Sequence, residues 1–342
     1  MRRRSDTLPA QPLRIAVLGA GEMGSVHATA YANSAGVEVA AVYGRNRSKI
    51  GPIAERVGAR ASTDLRAILD DPSVGAVDVC LPSPVHREFV VAALEAGKYV
   101  FCETPLALTQ EDAQAMLDAS QANDRLLLVG LLMRSIAAYQ YIKRALDAGQ
   151  VGKPVAAYAY RLGSYLRPNA ADFKEHYSDP TTELMTFDFD ALNWLLGSPQ
   201  ELSATAARLP DGRPGHVFAA VRYSSNVIAQ VEASGVMPAS FPFSVGFRLV
   251  GEEQALELTT VFGGDGPPDS RLMSYPANGK PEEVQLFDGD PYEAECQYFV
   301  DCVRGEADPE LLSAERAIEA LKLSFAAQTS LRQGKPVQLA TA

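Results

Sequence analysis

Residues 13–24 read LRIAVLGAGEMG. The apolar run that ends at Leu18 passes directly into Gly19, Gly21 and Gly24. Continuous Ile/Ala/Val/Leu character without polar alternation describes a strand buried on both faces, as in a parallel sheet covered by helices. A chain with 26 glycines produces chance GxGxxG matches, but here the motif closes a strand and opens a helical stretch, the context in which it binds a dinucleotide. Gly19 permits the tight turn. Gly21 lets backbone approach a pyrophosphate, whose charge the helix N-terminus stabilises, and Gly24 allows close helix–strand packing. Glu22 and Met23 fall within the same loop.

The pattern repeats on either side. Short apolar strands at 13–19, 37–43, 76–82, 98–103 and 126–131 alternate with helical stretches around 22–33, 48–57, 84–97 and 109–123. This βαβα order predicts a doubly wound parallel α/β sheet. After about residue 131 the order changes. Helical stretches at 136–148 and 183–196 flank strand-like runs at 155–162, 216–223, 226–234 and 247–258, with a hairpin turn near Asn226. These runs predict an α+β half on a mostly antiparallel open sheet. A closing helix over about 313–333 starts at Ser313 and stops at Gly334. The expected division is a disordered tail over 1–12, a dinucleotide-binding domain over 13–131 and a second domain over 132–342. FGGDGPPDS (262–270) reads as a mobile loop.

The end of the second strand speaks to the choice of dinucleotide. An acid there would hold the ribose 2′-hydroxyl of NAD. The sequence instead reads VYGRNRSK, with Gly44 at that place, then Arg45, Asn46, Arg47 and Ser48. With no carboxylate to repel it, a 2′-phosphate would sit against Arg45 with Ser48 or Arg47 helping, so the expectation is NADP(H).

Bulk properties exclude several classes. The 342 residues carry a net charge of −11, and no basic cluster beyond Arg2–Arg4 offers a nucleic-acid footprint. No apolar run approaches the roughly 20 residues that span a bilayer, and none follows the basic N-terminus as a signal peptide requires. The four cysteines, Cys80, Cys102, Cys296 and Cys302, show no zinc spacing and read as reduced thiols of a cytoplasmic protein.

The segment AVDVCLPSPVHREFVVAALEAGKYVFCETPLALT (76–109) resembles the central signature of the Gfo/Idh/MocA family, named for glucose–fructose oxidoreductase and inositol dehydrogenase. The resemblance extends through GAGEMGSVHA (19–28), LDAGQVGKPV (146–155), FDFDALNWLLG (187–197) and LSAERAIEALKLSFAAQTSLRQGKPVQL (312–339). It implies an N-terminal Rossmann domain and a C-terminal α/β domain whose open sheet makes a homo-dimer or homo-tetramer. It also implies a small sugar- or cyclitol-like substrate, with Pro82 and His86 on the nicotinamide side of the cofactor.

Two departures stand out. Glu103 and Pro105 match the family's Glu-Lys-Pro motif, but the lysine that exchanges the proton is Thr104, whose hydroxyl titrates far from any working pH. The family's Asp-x-x-x-His-x-x-Asp pattern falls on Glu183, Phe187 and Asp190, so the histidine has become a phenylalanine. Three explanations stay open. In the first, another acid takes over: Glu183, with burial against Phe187 raising its pKa, or His176 or Tyr177, or Tyr160 or Tyr165. In the second, the substrate is an imine or conjugated system that needs little polarisation. In the third, redox catalysis has been lost, leaving a cofactor-binding protein or one with non-redox chemistry. Arg134 and Arg161 read equally as substrate ligands or as structural ion pairs, Asp190 as a partner for substrate hydroxyls, and His27 as a packing residue.

Overall fold

The computed structural model describes residues 12–167, 179–263, 268–286 and 289–339. His176, Tyr177, the first eleven residues and the centre of the 262–270 stretch lie outside the described residues. In chain order the elements begin β1 (Leu13–Leu18), α1 (Glu22–Asn33), β2 (Val37–Tyr43), α2 (Arg47–Arg56), β3 (Arg60–Ser62), α3 (Arg66–Leu69) and β4 (Ala76–Val79). They continue α4 (His86–Glu95), β5 (Tyr99–Cys102), α5 (Gln110–Asn123), β6 (Leu127–Val129), α6 (Ala137–Asp147), β7 (Pro154–Leu162), α7 (Pro180–Glu183) and α8 (Met185–Leu196). The rest are β8 (Pro199–Arg208), β9 (Pro214–Tyr223), β10 (Ile228–Ser234), β11 (Phe243–Gly251), β12 (Gln254–Phe262), β13 (Asp269–Pro276), β14 (Glu282–Glu283), α9 (Pro291–Val303), α10 (Ala314–Gln333) and β15 (Val337–Gln338).

The chain divides into two compact units. The first runs up to Leu106, takes in Glu111–Gly130, and regains the chain over Gly289–Ala314. Its six strands are parallel in the order β3-β2-β1-β4-β5-β6. The order reverses beside β1, so the carboxyl ends of β1, β4 and β5 flank the switch point at which such sheets bind ligands. Ile15, Ala16, Val17 and Leu18 are fully buried, as their unbroken apolar character requires. Helix α9 packs on α1, with Phe299 against Phe101 of β5 at 5.5 Å between ring centroids. Sequence division at residue 131 does not anticipate this late return of the chain.

The second unit carries a nine-stranded mixed sheet, order β14-β13-β12-β11-β7-β10-β9-β8-β15, in which β7 and β10 run parallel and the other paired neighbours antiparallel. One face is buried by residues of α6, α8 and α10, including Tyr139, Phe189 and Leu323. On the other face Phe218 and Ile228 are 40% and 60% exposed. The hairpin between β9 and β10 forms as expected, with Asn226 at φ 64°. The run 247–258, expected as one strand, is two. Val250 pairs Ala255 across a turn whose Glu252 and Glu253 N–H groups donate to the carbonyls of Lys153 and Val151. Neighbouring backbone thus satisfies a turn that the apolar flanks conceal.

Gly24 shows how tightly the first loop is built. A Cβ there would stand 2.3 Å from the Gly19 carbonyl oxygen, a backbone atom that cannot swing aside. Gly24→Ala should lower unfolding stability by about 1–3 kcal/mol, read as a lower denaturant midpoint at unchanged m-value.

Candidate functional site

The glycine loop of the first unit is shaped for an anion. Gly19 has φ +141°, and a Cβ on it would meet the Cys80 carbonyl oxygen at 2.3 Å. A Cβ on Gly21 would meet nothing within 4 Å, so open space lies over the residue that starts α1. No side chain caps that helix start. Open room beside uncapped N–H groups fits a pyrophosphate. At the end of β2, a Cβ on Gly44 would stand 2.7 Å from an Ile50 methyl, which leaves no easy place for an acid. Arg45 and Arg47 are exposed and form no ion pair among the described residues. The Asn46 side-chain oxygen caps α2, accepting from the Ser48 N–H at 2.9 Å and from its hydroxyl at 2.7 Å.

Pro82 is exposed beyond β4. His86 is buried at the start of α4, with Nε2 2.7 Å from the Leu81 carbonyl and Nδ1 3.1 Å from that of Pro105. Burial lowers its pKa against the pull of these oxygens. It therefore ties the loop after β4 to the loop after β5. In the latter, the Thr104 hydroxyl donates to the Gly130 carbonyl at 2.8 Å, and the Thr104 N–H donates to Glu103 Oε2 at 3.0 Å.

Beneath this end lies a buried charge cluster. His27 Nδ1 is 2.9 Å from Asp78 Oδ2, and its Nε2 is 3.0 Å from Glu103 Oε1 and 3.8 Å from Glu295 Oε1. The Nε2–Glu103 approach lacks hydrogen-bond geometry and is a contact of charges. Burial opposes protonation of His27, but the acidic groups around it, Cys80 and Asp78 foremost, outweigh burial and hold its pKa well above the usual value. Glu295 is pushed well above its ordinary pKa, first by burial. Ligand atoms of His27, Asp78 and Cys80 lie within 4.8 Å of one another. Sequence reading took His27 for packing and missed Asp78 and Glu295. A charged residue inside the buried run AVDVC was a usable signal, since it demands a partner. Glu295, some 190 residues after Glu103, carried none.

In the second unit, Arg134 and Asp190 form a bidentate pair, Nε–Oδ2 3.0 Å and Nη2–Oδ1 2.7 Å, both buried. Arg161 Nε donates to Asp188 Oδ2 at 3.1 Å, and its guanidinium stacks 4.8 Å from the centroid of the Phe187 ring. Asp188 keeps a buried oxygen with no hydrogen-bond partner among the described residues, and burial, against the opposing pull of Arg161, raises its pKa to about 6.

Glu183 ends the single turn α7. That turn starts at Pro180 behind Asp179, whose carboxylate accepts from the Thr181 N–H at 2.9 Å. The continuous helix expected from 183 is interrupted at Leu184 (φ −121°), and α8 begins at Met185. Glu183 is 2% exposed, and its Oε2 has no hydrogen-bond partner among the described residues. Burial, then the neighbouring Asp179 charge, raises its pKa from 4.5 to about 8.

The model of an oxidoreductase family with an NAD-binding Rossmann fold matches residues 13–131, and that of the GFO/IDH/MocA C-terminal domain matches 139–257. The chain belongs to the Gfo/Idh/MocA oxidoreductase family. It is 26% identical over 340 residues to the scyllo-inositol 2-dehydrogenase (NAD(+)) of Bacillus subtilis, covering 96% of each chain. It is 31% identical over 276 residues to inositol 2-dehydrogenase 2 of Saccharopolyspora erythraea, covering 76% of this chain and 79% of that one. An NAD binding oxidoreductase from Klebsiella pneumoniae shares the fold at a TM-score of 0.79 with 20% identity, over 97% of this chain and all of that one.

The sign of the Glu183 shift predicts a stability profile. A carboxyl with a raised folded-state pKa contributes its full stability below the unfolded value and loses it as pH rises through the folded one. From about pH 4.5 to about pH 8, the parent should lose stability relative to Glu183→Gln by about 1.4 kcal/mol per pH unit. Denaturant melts at half-unit pH steps measure that slope; parallel curves for the two proteins would contradict it.

Proposed function

We propose that the chain is an NADP(H)-dependent oxidoreductase that moves hydride to or from a small cyclic substrate, a sugar-, cyclitol- or natural-product-like ketone or imine, with Glu183 as the proton donor. The carrying observation is the contrast among the three positions. The Thr104 hydroxyl is engaged by Gly130, Phe187 has no proton to move, and Glu183 is a buried carboxyl with an unpartnered oxygen and a raised pKa. A bound nicotinamide dinucleotide supplies or takes the hydride. Glu183, protonated near neutral pH, gives its proton to the substrate heteroatom in reduction and takes it back in oxidation.

The inositol dehydrogenases among the relatives support a cyclic polyol or its ketone. For the cofactor, the crowded Gly44 and the unpaired Arg45 and Arg47 support NADP(H), although the Bacillus relative bears NAD(+) in its name. The exposed Phe218 and Ile228 on the open sheet support a second copy of the chain as its cover. Four free cysteines support a reducing, cytoplasmic setting, and no described helix is long and apolar enough to cross a membrane.

A second reading, loss of redox catalysis, draws on Arg134, Asp190 and Arg161, whose polar groups are turned to internal partners. Turnover of myo-inositol, scyllo-inositol and their keto forms with either dinucleotide separates the two. Glu183→Gln should keep dinucleotide affinity and cut turnover by about 10²-fold or more. A parent that binds dinucleotide but transfers no hydride to or from any of them favours the second reading. Calorimetry should give tighter binding of NADPH than NADH by tenfold or more, a preference that Arg45→Ala removes, since a charge-assisted bond contributes about 1.5–3 kcal/mol.

A further inference from the structure

We propose that His27 is a positioning residue: held between Asp78 and Glu103, its imidazole fixes the Glu103 carboxylate, and through it the Thr104 backbone, at the dinucleotide-binding end of the first unit. This rests on the family's dinucleotide binding alone, not on the choice of NADP(H) or on the role of Glu183.

The chain of contacts is continuous. Helix α1 starts at the glycine loop and is seated by the Gly24–Gly19 approach, so His27, one turn further on, has a fixed place. Asp78 of β4 takes Nδ1 at 2.9 Å. That leaves Nε2 to face Glu103 Oε1 at 3.0 Å and Glu295 Oε1 at 3.8 Å. The other Glu103 oxygen accepts the Thr104 N–H at 3.0 Å. Thr104 is held from its far side by the Gly130 carbonyl at 2.8 Å. Gly130 is small for a reason: a Cβ there would stand 3.2 Å from Glu103 Oε2.

Both Glu103 oxygens are therefore turned into the protein, and the side chain is 14% exposed. It is an anchor for the loop rather than a group that reaches a substrate. The charge count makes His27 the controlling member. Three carboxyls, Asp78, Glu103 and Glu295, surround one imidazole, and no Lys or Arg pairs with any of them among the described residues. The remaining titratable neighbours add no cation: Tyr31 on α1, Cys80 beyond β4, Cys102 on β5, and Tyr292 and Cys296 on α9 have pKa values pushed upward, burial first, and His86, which also feels Glu103, has its own lowered by burial. Without the imidazolium, Glu103 shares the pocket with Asp78 and no counter-charge, and loses the group that holds it in the geometry that fixes Thr104.

The test uses the full-length protein, His27→Gln and Glu103→Gln. Binding of NADH and of NADPH is measured by calorimetry from pH 6 to 10, with thermal melts and the ¹⁵N resonances of His27 recorded alongside. Glu103→Gln keeps the side chain's size and its acceptor for the Thr104 N–H but removes the charge facing His27. Positioning predicts that the parent's affinity is flat near neutral pH and falls at alkaline pH as the His27 resonances report loss of the imidazolium. Both variants should bind at least fivefold more weakly at pH 7, and His27→Gln should lose the alkaline limb. Glu103→Gln should also move the His27 titration to lower pH. A folded variant that binds like the parent, or an unmoved His27 titration in Glu103→Gln, overturns the proposal. Should His27→Gln fail to fold, Glu103→Gln decides alone. A parent that binds neither dinucleotide would overturn the underlying reading as well, which is a different result from a parent that binds and variants that match it.

Discussion

A charge buried without a counter-charge is the costliest feature a folded chain can carry, and this constraint orders both units. In the second unit Arg134 closes on Asp190 and Arg161 on Asp188. Each guanidinium also lies over an aromatic ring, Trp194 and Phe187 respectively. Glu183 has no cation partner among the described residues, and burial raises its pKa so that it holds its proton. In the first unit a single imidazole must serve three carboxyls, and Glu295 gives up its charge. The same physics yields a neutral acid in one place and a cation in the other, because the local count of opposite charges differs.

Most of the fold was legible in the sequence because it is written in local apolar patterns. The run Leu13–Leu18, followed by spaced glycines, specifies strand, turn and helix together, and Gly19 and Gly24 each have a steric reason. The features that escaped notice are those decided over long distances. Nothing between Pro291 and Val303 announces that this helix returns to the first sheet. The break between β11 and β12 depends on carbonyls of Val151 and Lys153, about a hundred residues upstream.

The site divides along the same line. Glycine roles, the absence of an acid after β2 and the odd status of Thr104 and Phe187 follow from residue type and position. The partners of Arg134, Arg161 and His27 do not, since a charged side chain's partner is chosen by tertiary packing. Asp78 was the exception, conspicuous in a run buried on both faces. The raised pKa of Glu183 agrees with the direction expected from its sequence, and burial is its first cause, as expected; the Asp179 charge is the part that the sequence reading lacked. The chain also breaks helical continuity between Glu183 and Phe187 at Leu184.

The central claim is that Glu183 is a neutral acid near physiological pH. The most direct measurement is the infrared difference spectrum of the parent minus Glu183→Gln across pH 5–9, read in the carbonyl band of the protonated carboxyl. The account predicts a protonated-carboxyl band at pH 7 that disappears with a midpoint near 8. A carboxyl already ionised at pH 6 would contradict it, because Glu183 would then have no proton to give.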